Sequence, residues 1–134
     1  MRKLATLGLG IMLTLGALGA VEVGGCAGRT PPVVGSVNQF DSNAYLTLVT
    51  TDNIIQGCKR DLTAGVFPAN IAEYVKPALN GLIQAYNVAN VAYTGYHAAA
   101  VAGTVTVVQQ TQVTNALNNV QTATTTLIAA RGGN

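Results

Sequence analysis

Residues 71–99, IAEYVKPALNGLIQAYNVANVAYTGYHAA, carry the periodicity that decides the fold. Ile71, Val75, Ala78, Leu82, Ala85, Ala89, Ala92, Tyr96 and Ala99 follow one another at alternating spacings of four and three, which places them on one stripe of an α-helix. The stretch closes near Gly103. Pro77 falls inside it without the N–H that a helix interior uses, so the sequence predicts a kink or a break there. The expected pieces are a short segment over Asn70–Lys76 and a main helix with Pro77 in its first turn. Asn80-Gly81 weakens the same place.

The flanking stretches repeat the pattern. Ala44, Leu48, Ile55, Cys58 and Leu62 keep the same alternation through Thr51 and predict a helix from about Gln39 to Ala64, stopped by Gly65. On the other side, Thr106 followed by Gln109 is a capping-box pattern. It opens a helix whose stripe is Val113, Leu117, Val120, Thr124 and Leu127, with Arg131 in the last turn and Gly132-Gly133 as its end. Only Thr104–Val108 also reads as β. Short links between three such stripes predict an all-α fold, a small antiparallel three-helix bundle over residues 38–134.

The apolar content is 49% of the chain, yet Trp is absent and Phe occurs twice, so the predicted core consists of small aliphatic side chains. Formal net charge is +2 and 9% of residues are charged, too little for a nucleic-acid-binding field. Nucleic acid is therefore not an expected partner.

Upstream of the bundle, Arg2 and Lys3 precede an apolar run from Leu4 to Val21, the pattern of a secretory signal peptide over residues 1–25. The run leads to Val23-Gly24-Gly25-Cys26. This box resembles that of bacterial lipoproteins, with an aliphatic residue three before the cysteine and small residues between. The resemblance covers the first 26 residues only, and Glu22 departs from it by placing a charge just ahead of the box. It implies a diacylglyceryl group on the Cys26 thiol, cleavage after Gly25 and acylation of the new amino terminus. Ala27, in place of Asp, implies an outer-membrane location where the host has one. Two other readings of the same residues stay open: an uncleaved signal anchor, and cleavage by the ordinary signal peptidase near Ala20 or Ala27. Residues 26–37, with Pro31-Pro32, read as a short extended tether.

No Asp, Glu, Lys or Arg occurs between Pro77 and Ala130. Within this uncharged stretch two small-residue ridges, Gly81-Ala85-Ala89 and Gly95-Ala99-Gly103, recur at spacing four. Together with Tyr93 they form a candidate interface for self-association or for an envelope protein. The competing reading is the inner face of the bundle. The tyrosines are expected at the rim with their hydroxyls in water.

His97 is the only histidine, and no carboxylate is near it in sequence, so neither a metal site nor a His-based catalytic group is expected. Asp41, Asp52 and Asp61 scatter around their helix and give no close carboxylate pair. Cys58 reads as a buried apolar residue if Cys26 is lipidated, and as a disulfide partner of Cys26 if it is not. With no phosphate loop, nucleophile elbow or zinc pattern, the expectation is a non-enzyme without a cofactor, anchored at the envelope as a structural or interaction module. The alternative is an exported carrier of a small apolar ligand, with a groove lined by Tyr86, Tyr93 and Tyr96.

Overall fold

The structure is a computed structural model that describes residues 35–132. The signal segment, Cys26 and the tether up to residue 34 lie outside the described residues. Three helices follow in order: α1 (Gln39–Thr63), α2 (Ala69–Val101) and α3 (Val107–Gly132). They form the all-α three-helix bundle, with no strand among the described residues, so Thr104–Val108 is not β.

The predicted stripes face inward, with Leu62, Ile71, Ala78, Ala85, Ala92 and Ala99 half-buried. Ala44, Leu48, Thr51, Ile55 and Cys58 are buried on α1, Val75, Leu82, Ala89 and Tyr96 on α2, and Val113, Leu117, Val120, Thr124 and Leu127 on α3. Leu79, Ala100 and Ala116 join them and widen the stripes. Burial of each leucine contributes about 2 kcal/mol. The two buried threonines cost little, because Thr51 Oγ1 donates to the Thr47 carbonyl and Thr124 Oγ1 to that of Val120, each at 2.8 Å.

The break expected at Pro77 is absent: α2 is one helix of 33 residues that includes Pro77 and Asn80-Gly81. Pro77 removes one hydrogen bond, to the carbonyl of Glu73. Both residues are exposed, so water can take that carbonyl. Val75, Leu79 and Leu82 are buried on either side and hold the helix against its neighbours. Tertiary packing here outweighs a local breaking signal.

Short turns set the antiparallel order. After α1, Gly65 takes φ +67°, its N–H donates to Leu62 O and that of Val66 to Asp61 O. After α2, Gly103 takes φ +70°, its N–H donates to Ala100 O and that of Thr104 to Ala99 O. Both are Schellman ends, in which glycine supplies the left-handed residue and the last carbonyls find partners. The capping box at α3 forms as expected: Thr106 N–H donates to Gln109 Oε1 at 2.9 Å, and Gln109 N–H to Thr106 Oγ1 at 3.2 Å.

A candidate site at Asp41, Tyr93 and His97

α1 begins with Asn38, whose side-chain oxygen accepts the N–H of Asp41 at 2.9 Å and so caps the helix. The cap turns the Asp41 carboxylate back, and it accepts the Val37 N–H at 2.9 Å. Asp41 is 0% exposed. Its charge sits at the positive end of the α1 dipole.

From α2, His97 Nδ1 lies 2.9 Å from both carboxylate oxygens, although 56 residues separate the two side chains in sequence. A carboxylate only accepts, so Nδ1 carries the hydrogen and donates it. Nε2 is then the ring nitrogen left over, on a side chain that is 36% exposed. Tyr93 stands one turn earlier on α2. Burial first, and then the charge of Asp41, push its phenol up to about 12. Its ring lies 5.8 Å from that of His97 and 6.3 Å from that of Tyr45.

Tyr96 closes the cluster from beneath. It is 3% exposed, its ring meets Phe40 edge-on at 4.9 Å, and its hydroxyl lies 3.1 Å from Asn38 Nδ2, which donates to it. The rim position expected for the tyrosines therefore holds for Tyr74, which is exposed, and fails for Tyr96. Its aromatic face had a buried place to go, and Asn38 satisfies the hydroxyl.

At the opposite end, Arg131 Nη2 donates to Asp61 Oδ2 at 3.2 Å, and its guanidinium stands 5.6 Å over the Phe67 ring. Cys58 is 0% exposed, and the Cys26 on which its two sequence readings turn lies outside the described residues. Burial raises the pKa of Cys58, the charge of Arg131 opposes this and that of Asp61 adds to it.

The small-residue ridges divide between two faces. Ala89 is buried, Ala85 and Ala99 are half-buried, and Gly81, Gly95 and Gly103 are exposed, with nothing within 4 Å of where a Cβ would stand. The alanines thus belong to the inner face, and the glycines are not needed for close approach within the chain.

Chemically, the Asp41–His97 pair has the orientation of a carboxylate that fixes an imidazole tautomer. Among the described residues no group of three or more His, Cys, Asp or Glu converges to hold a metal ion. What the arrangement does within the chain is mechanical: one buried carboxylate joins the residues before α1, the first turn of α1 and the last turns of α2. The sequence reading missed it because the partners belong to different helices. The Asn38-x-x-Asp41 spacing was the one signal present, since it is a cap pattern that turns the carboxylate back over the helix start. No family model, no curated protein and no solved structure matches this chain.

Proposed function

We propose that the protein is an exported bacterial or prophage-type lipoprotein, tied to a membrane through Cys26, whose helical domain acts as a small structural or protein-interaction module at the cell envelope. The observation that carries this reading is the order Arg2-Lys3, apolar run, Val23-Gly24-Gly25-Cys26. Several acyl chains on one residue make attachment stable where a single chain is marginal.

Two features of the bundle support it. The Asp41 cluster stands where the chain arriving from Cys26 enters the fold, and Val37 is bonded directly into it. From Pro77 onward the outer face of α2 is uncharged and carries Gly81, Val88, Val91 and Gly95 in the open, which suits contact with another protein. The carrier reading is weaker, because Tyr96 is packed on Phe40 and tied to Asn38 and does not line a groove. Nothing in the anchored reading calls for catalysis.

The test is the intact mass of the membrane-fraction protein, with and without Cys26→Ser. The expected result is a chain beginning at residue 26 with acyl groups, absent in the variant. An unmodified mass would overturn the anchor and return Cys26 to the pool of thiols able to seek Cys58.

A further inference from the structure

The two ends of the bundle differ in charge. Lys59, Arg60, Asp61, Glu73, Lys76 and Arg131 all lie toward the end where α1 passes to α2 and α3 finishes. At the other end, where α1 starts and α2 turns into α3, the only charged residue among the described residues is Asp41, which is buried against His97. That uncharged end exposes five valines: Val37 at 47%, Val101 at 67%, Val105 at 38%, Val107 at 81% and Val108 at 65%. Four of them fall within eight residues around the α2–α3 turn.

Part of the polar surface of this turn is already paired. The N–H groups of Ala102, Gly103 and Thr104 donate to carbonyls of α2, and the Thr106–Gln109 box satisfies the start of α3. The Thr106 hydroxyl lies 3.1 Å from Gln109 Oε1 and that of Thr104 lies 3.4 Å from Ala99 O. These pairings reduce the number of hydrogen bonds that the turn gives up where its valines leave water.

Position adds the second argument. Asn38 is level with Tyr96, and α2 continues to Val101, so the turn projects roughly 7 Å past the start of α1. The chain leads back from this same end to Cys26, eleven residues before Val37, a reach of at most about 40 Å when fully extended. The charged end is roughly 35 Å away along α3.

We propose that the valine tip, Val37 with Val101–Val108, docks on the surface of the lipid bilayer and stands the bundle on the membrane with its charged end outward. The proposal rests on the Cys26 anchor for the nearness of that membrane, and its test separates the two. Because the chain has no tryptophan, Val107→Trp and Val66→Trp in the full-length protein are single reporters at the tip and at the charged end. Each is mixed with phosphatidylcholine vesicles carrying brominated acyl chains. The expected result is blue-shifted emission with bromine quenching for Val107→Trp and neither for Val66→Trp, and a several-fold loss of that quenching when Val105→Asp and Val108→Asp are added. Helical circular dichroism checks that these exposed changes leave the fold intact. Absence of quenching at both positions overturns the proposal. So does a blue shift that grows with protein concentration without quenching, which would mean that a second copy covers the tip. The mass of the same preparation keeps the readings apart: acyl-bearing protein without tip quenching ends the docking and leaves the anchor. Unmodified protein with tip quenching keeps the docking and ends the anchor.

Discussion

Val37, Asn38 and His97 all bond to Asp41, and the groups around it differ in sensitivity. Replacing His97 by alanine leaves a carboxylate with 0% exposure short of a donor, so His97→Ala is expected to lower the unfolding free energy by about 2–3 kcal/mol. A denaturant titration with an unchanged slope checks this. Tyr93 makes the same cluster sensitive to alkali. Its pKa rises from an ordinary 10 to about 12 in the folded chain, so the fold favours the neutral phenol. The stability this contributes is fully present below pH about 10 and is lost as the pH rises through about 12. Tyr93→Phe should flatten that part of the stability curve. Cys58, raised by burial, begins its own loss lower, above its ordinary value of 9. A thermal-melting series across pH 9–12 resolves the two.

Within single helices, local preference and tertiary packing disagree in instructive places. Gly81 and Gly95 sit in the middle of α2 facing open space, where glycine is less favourable than alanine by about 1 kcal/mol. Gly81→Ala and Gly95→Ala should each therefore raise stability by about 0.5–1 kcal/mol. If the outer face of α2 meets a second copy, the same variants weaken self-association, which sedimentation of the full chain detects. At the other helix, Thr106→Ala removes the hydroxyl that accepts the Gln109 N–H and should cost about 1 kcal/mol. Pro77 shows the opposite balance: its cost is borne on an exposed face while buried neighbours on both sides keep the helix whole.

For the whole molecule, the apolar interior dominates and the ion pair at its charged end refines it. Leu82→Ala, in a core residue with 0% exposure, should cost about 2–5 kcal/mol. Arg131→Met should cost no more than about 1 kcal/mol, because the Asp61–Arg131 pair is partly exposed. Comparing the two melting temperatures ranks them. The sequence by itself determined the three helices, their inward stripes, the glycine ends and the Thr106 cap, because helical period and chain-end chemistry are local properties readable within a few residues. The absence of charge from Pro77 to Ala130 was equally legible. Only the tertiary structure decided that α2 survives Pro77, that Asp41 and His97 meet across 56 residues, that Tyr96 is inside, and that five valines gather at the end of the bundle from which the chain leads back to Cys26. Those outcomes depend on which helix faces which. Burial and pairing between distant segments set that arrangement, and no local spacing records it.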